Sequence, residues 1–126
     1  MNYPYNDAYW PDFPVLNVEL CNEDDGFRTK SIVALLDTGA DASMVPMDLL
    51  RQIQAYVIGS SHVRSHWGDR HEVYLFQIDV RLDQITLPGV AVIGDEHGDE
   101  VVLGRDVLNK LRLLLDGPTN QTELLD

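Results

Sequence analysis

Cysteine is nearly missing from this chain. Cys21 is the only one, so no intrachain disulfide can form and a reducing compartment such as the cytoplasm is expected. Basic residues are scarce as well: nine Lys and Arg face 21 Asp and Glu, for a formal net charge of -12. Such a surface repels phosphate backbones and anionic lipid, which argues against nucleic-acid or membrane partners. The same acidity is also an ordinary solubility device. Long apolar runs are absent, and nothing approaches the roughly 20 residues that span a bilayer. Met1 to Trp10 has neither the basic start nor the apolar stretch of a secretory signal. Gly-rich phosphate loops are lacking too, because Gly94 to Asp99 is acidic. No Ser-His-Asp or Cys-His pattern suggests nucleophilic catalysis, and Cys21 reads as a packed strand residue.

What remains is a chain of 126 residues with 44% hydrophobic content. That suffices for one domain with a real core. Pro4, Pro11 and Pro14 mark residues 1–14 as an extended arm without regular structure. Strand signals begin at Val15, and a strong turn follows at Asn22 to Gly26. A second strand is predicted from Thr29 to Leu36, and its end, Ile32 to Leu36, is apolar on both faces, as in a buried strand. Pro46 opens a helix over about Met47 to Gln54. Tyr56 to Ile58 reads as a short strand. His62 to His66 and Glu72 to Leu82 then flank a hairpin tip at Trp67-Gly68-Asp69. Tyr74, Phe76, Ile78, Val80 and Leu82 define one apolar face. Ile85 to Leu87 and Val90 to Ile93 read as two short strands. A second helix is expected over Arg105 to Leu111, with strands at Leu113 to Leu115 and Glu123 to Leu125. The sum is mostly β: a small closed or folded β-barrel with one or two short helices.

One stretch carries chemistry. Leu35-Leu36-Asp37-Thr38-Gly39-Ala40-Asp41 delivers a single acid from an apolar strand into a tight turn. Ser43 adds a hydroxyl shortly after. Downstream, Val102-Leu103-Gly104-Arg105 places two apolar residues, a Gly and an Arg at the start of a helix.

These two motifs, in this order, resemble the retropepsins, the single-domain aspartic proteases of retroviral type. Leu103 to Leu108 followed by Leu113 to Gly117 looks especially like the bacterial members. The resemblance covers residues 15–117. Residues 1–14 are then an N-terminal arm, and 118–126 a C-terminal segment that could supply an interface strand. It implies an acid-protease barrel in which one acid per chain meets its twin across a homodimer axis. Asp37 would be that catalytic acid. Peptide hydrolysis needs a base for water and an acid for the departing group. Two carboxylates in contact share one proton, so the pair serves both purposes, and an acidic pH optimum is expected.

The resemblance also implies roles for neighbours. Thr38 would tie the two active-site turns together, and Ser43 would support the turn. Gly39, Ala40 and Asp41 would contact an extended polypeptide substrate. Asp41 and Arg105 would form an ion pair that braces the helix and the interface; a plain structural ion pair is an equal reading. The hairpin from Arg64 to Arg70 stands where retropepsins carry a mobile flap, so Trp67 and Gly68 would also contact substrate. Its single Gly and bulky Trp67 depart from the viral pattern, and an ordinary surface hairpin is the other reading. His62, His66 and His71 cluster there, but without the spacing of a metal signature, and neither metal nor cofactor is expected. The expected activity is that of a homodimeric aspartic endopeptidase. The alternative is a binding or dimerisation module of the same fold with little or no proteolysis.

Overall fold

The computed structural model describes residues 1–64 and 67–125. Among these residues, eleven strands and two short helices make up the regular structure. Strand β1 is Asn2–Pro4, β2 is Val15–Asn22, β3 is Phe27–Arg28, β4 is Ile32–Leu36 and β5 is Met44–Pro46. Helix α1 is Met47–Gln52. Strands β6, Tyr56–Arg64, and β7, Arg70–Leu82, follow it, then β8, Ile85–Asp95, and β9, Val101–Leu103. Helix α2 is Arg105–Leu108, and β10, Arg112–Asp116, and β11, Gln121–Leu125, end the chain.

The strands close on themselves. In order, β2, β4, β9, β5, β8 and β7 are neighbours, and β7 pairs again with β2. This ring of six is the mostly β barrel that the strand pattern predicts. Closure leaves no edge among these six strands. β3 is appended to β2, and β6 extends the other side as a hairpin with β7. β1, β11 and β10 form a separate three-stranded sheet.

Alternation fills the barrel. On β7, Phe76, Ile78, Val80 and Leu82 are buried, while Tyr74, nearer the hairpin tip, is exposed. The apolar face of that strand therefore outlasts the barrel by one pair and then runs into solvent. Leu16, Val18 and Leu20 of β2 meet Ala34 and Leu36 of β4 and Leu103 of β9 in the same core. Each such Leu or Val contributes about 1.5–3 kcal/mol on burial. From outside the barrel, Leu50, Val107 and Leu124 reach the same cluster. The helices and the terminal sheet are thereby held to it.

Several elements differ from the sequence expectation. Residues 1–14 are not wholly irregular, because Asn2 to Pro4 pair antiparallel with Gln121 to Glu123. The predicted strand from Thr29 is shorter, beginning at Ile32. Thr29 instead locks onto β2: its hydroxyl accepts from Leu20 N at 3.0 Å, and its own N donates to Leu20 O at 2.9 Å. Helix α1 stops at Gln52 because Gln54 takes the left-handed conformation, φ 51°. The two short strands expected around Pro88-Gly89 are one strand. Gly89 turns there with φ 64°, and its N donates to Asp79 Oδ1 at 2.8 Å, so the ladder resumes past a bulge. Helix α2 ends at Leu108, shorter than expected.

Candidate active site

Asp37 stands at the end of β4. That strand pairs in parallel with β9, and Asp37 N extends the ladder by donating to Leu103 O at 3.0 Å. The chain then turns. Gly39 N donates to Asp37 Oδ1 at 2.9 Å, and Ala40 N donates to Asp37 O at 3.2 Å. The carboxylate is therefore oriented by the backbone it precedes. Asp37 is half-buried, whereas Thr38, Gly39 and Asp41 are exposed. A Cβ on Gly39 would approach Asp37 Oδ1 to 3.2 Å, so any side chain there would crowd the acid.

The segment 104–106 underpins the turn. Arg105 N donates to Ala40 O at 2.9 Å. Its guanidinium spans two acceptors: Nη1 donates to Thr38 O at 2.6 Å, and Nη2 pairs with Asp41 Oδ1. Gly104 is buried so tightly against the turn that a Cβ would lie 2.8 Å from Ala42 C and O and 2.9 Å from Ala40 O. These are backbone atoms and cannot swing away. Glycine is thus demanded here by a close approach rather than by an unusual φ.

Ser43 is fully buried, at 0% exposure. Its Oγ donates to Asp106 Oδ1 at 2.7 Å and accepts from Gly104 N at 3.0 Å. Ser43 N donates to Asp106 Oδ2 at 3.1 Å, and Val107 N donates to Oδ1 at 2.9 Å. Asp106 therefore satisfies both the turn and the start of α2. Sequence reading assigned it no role, although it adjoins the Gly104-Arg105 pair. Its place beside that pair is the only mark the sequence gives, because the pairing with buried Ser43 is long-range.

Trp67 and Gly68 lie elsewhere, at the tip of the β6–β7 hairpin. The pairing runs out to Arg64 opposite Arg70. Trp67 is 88% exposed, and Gly68 has φ 86°, a turn conformation that favours glycine. Ser65 and His66, also assigned to this hairpin, fall outside the described residues. His62 and His71 are exposed, opposite Glu72 and Val63 respectively. Among the described residues no group of three His, Cys, Asp or Glu side chains could hold a metal ion.

No protein-family model matches the chain, and no curated protein matches it in sequence. Solved structures do match in shape. A retropepsin-like aspartic protease from Rickettsia conorii superposes with TM-score 0.68 at 12% identity, covering 98% of this chain and 88% of that one. The EIAV protease complexed with the inhibitor HBY-793 gives 0.54 at 20% identity, with 78% and 86% covered. The retroviral protease-like domain of Ddi1 from Leishmania major gives 0.52 at 17%, with 90% and 95% covered. Likeness at such identities is likeness of fold, and it agrees with what the two motifs imply: this chain has the fold of the retropepsin-like aspartic proteases.

Proposed function

We propose that the chain is an aspartic endopeptidase whose catalytic pair assembles from Asp37 of two copies. The observation that carries this reading is the Asp37 turn itself: one oriented carboxylate on an exposed turn, braced from below by Gly104, Arg105 and Asp106. A turn built this rigidly yet left open at the surface suits a site completed by a second copy. In the assembled pair, the charged carboxylate takes a proton from a water held between the two acids. The protonated one donates to the scissile carbonyl and stabilises the tetrahedral intermediate. Thr38 joins the two turns. Gly39, Ala40 and Asp41 receive the substrate main chain as an added strand, and the hairpin with Trp67 and Gly68 covers it. Arg105 holds Asp41 and the Thr38 carbonyl in position. The reaction uses water alone, without metal or cofactor.

The terminal sheet supplies the surface for a second copy. β10 is one edge of it, with Leu114 and Leu115 exposed on that strand and Leu125 exposed on the adjoining β11. An unpaired strand edge flanked by exposed leucines favours association. Among the described residues no helix is long and apolar enough to cross a membrane. Cys21 is a buried free thiol. The single cysteine, with no intrachain disulfide possible, supports a reducing compartment such as the cytoplasm as the proposed location.

The test is incubation with unfolded polypeptides from about pH 3.5 to 7, beside Asp37→Asn and with a pepstatin-type inhibitor. Cleavage that is strongest at acid pH, inhibited, and lost in Asp37→Asn is expected. Cleavage that survives Asp37→Asn overturns the assignment. Peptide binding without cleavage at any pH favours a binding module. Sedimentation should show dimer at concentrations where activity is seen.

A further inference from the structure

Residues 6–13 form a closed loop whose neck adjoins the end of β4, the strand that delivers Asp37. β2 and β4 run antiparallel with Val15 opposite Leu35. The pairing continues one step further, since Leu36 N donates to Pro14 O at 3.1 Å. Continuing that register by one more position sets Phe13 alongside Asp37. Phe13 is in turn bridged to Asn6, through Asn6 N to Phe13 O at 2.8 Å and Phe13 N to Asn6 O at 3.0 Å. The loop between them is therefore pinned at its neck to the register position of the acid. It is stiffened inside by Tyr9 against Phe13, with ring centroids 5.2 Å apart, and by Ala8 N donating to Asn6 Oδ1 at 3.0 Å. On the other side the chain joins β1, where Tyr5 N donates to Asn120 O at 2.8 Å. The loop thus bridges the terminal sheet and the barrel at the end where Asp37 emerges.

At the middle of this loop stands Trp10, 95% exposed. A tryptophan held so far out gains nothing for the fold, because its ring is left in water. Within a pinned loop its cost of ordering on contact is small, since few rotatable bonds remain to be fixed. An amphipathic ring on a stiff support, in a loop whose neck adjoins the strand end that carries Asp37, has the properties of a side-chain recognition wall. The acidic surroundings, including Asp7 and Asp12 in the same loop, disfavour an acidic ligand and leave apolar or basic groups.

We infer that Trp10 is a specificity-determining residue: the Asn6–Phe13 loop forms a side wall of the substrate cleft, and Trp10 receives a bulky apolar side chain of the extended polypeptide near the scissile bond. This rests on the proteolytic reading of Asp37 and adds to it a subsite built by the N-terminal segment. Trp10 touches no reacting atom, so its effect is on which peptides are cleaved rather than on the chemical step.

The experiment compares wild type, Trp10→Ala and Trp10→Phe on a peptide set varied at the positions flanking the cleaved bond. For peptides with a bulky apolar residue at one flanking position, Trp10→Ala should lower kcat/KM about tenfold, mostly through KM, as expected for one aromatic contact. Peptides with alanine there should change little, and Trp10→Phe should restore most of the preference. Thermal unfolding and sedimentation should match wild type in both variants. A Trp10→Ala enzyme with unchanged selectivity overturns the inference while leaving the proteolytic reading intact. A second readout is independent of turnover. In Asp37→Asn, the same apolar peptides should shift tryptophan emission, and adding Trp10→Phe should remove the Trp10 share of that shift, leaving only what Trp67 contributes. If wild type cleaves nothing, the Trp10 share alone supports the wall as a peptide-binding surface. Absence of both cleavage and that share overturns both readings.

Discussion

Ser43 and Asp106 are joined beneath the Asp37 turn, with Ser43 Oγ donating to Asp106 Oδ1 at 2.7 Å. The same hydroxyl accepts from Gly104 N, and the same carboxylate accepts from Ser43 N and Val107 N. Ser43→Ala should therefore leave the buried Gly104 N unsatisfied and cost about 1–3 kcal/mol. Asp106→Ala removes acceptors from three donors and should cost more. The double variant should lose less than the two single losses combined, because the groups act as one unit. Urea midpoints of the four proteins check this, and additive losses would mean the pair is not coupled.

Gly104 and Gly39 should respond oppositely to alanine. At Gly104 the new Cβ meets backbone of Ala42 and Ala40 at 2.8–2.9 Å, so the turn or α2 must shift. Overpacking of this kind costs roughly 1–3 kcal/mol or more. At Gly39 the single close atom is Asp37 Oδ1 at 3.2 Å, the end of a side chain. Gly39→Ala should keep near-native stability yet depress peptide cleavage, since it disturbs Asp37 and the edge proposed to receive substrate. Thermal unfolding together with an activity assay separates the two outcomes.

These contacts also explain what could be read from residue order alone. The strand ending in Asp37 was legible because Ile32 to Leu36 lacks polar residues, although only Ala34 to Leu36 are buried and Val33 is exposed. Gly104 was legible through its motif, although the reason for it, contact with the carbonyls of residues 40 and 42, is a long-range matter. Asp106 was not legible as a support. Its partner Ser43 is distant in sequence, and neither residue betrays burial by type. Strand ends misled for a related reason. Pro88-Gly89 reads as a break, but the Asp79 carboxylate on the neighbouring strand catches Gly89 N and carries β8 through. Strand β1 was hidden because a three-residue strand ending in proline has no pattern of its own until β11 lies beside it.

Arg105 and Asp41 should prove unequal partners. The Asp41 side chain is 91% exposed, so its charge is screened and the ion pair itself adds little. Arg105 also donates to Thr38 O at 2.6 Å, which fixes the backbone of the turn. Asp41→Ala should leave the thermal midpoint near that of wild type. Arg105→Ala should lower it by a few degrees and cut activity more severely. Arg105→Lys should fall between, because a single ammonium replaces a fork that spans two acceptors. Raising salt should narrow the difference between wild type and Asp41→Ala but not the loss in Arg105→Ala. Equal midpoints for the two alanine variants would show that the carbonyl contact does not matter.

Cys21 gives the fold a pH dependence of predictable sign. Burial pushes its thiol pKa up, and Glu23 and Glu19 add to this while Arg28 opposes it. Below the ordinary thiol value both folded and unfolded chains keep the proton, and the contribution to stability is fully present. Above about pH 8.5 the unfolded chain ionises first, so the folded state loses ground until pH passes the raised native value. Tyr3 is also raised, by burial and then by Asp83, and contributes a similar loss at higher pH. Cys21→Ala removes the first contribution and keeps the second. Urea midpoints measured between about pH 7 and 10 should therefore fall more steeply in wild type than in Cys21→Ala, with the curves diverging first in the thiol range. Parallel curves would mean that the Cys21 thiolate is accommodated in the folded barrel, against the desolvation expected for a thiol at 2% exposure.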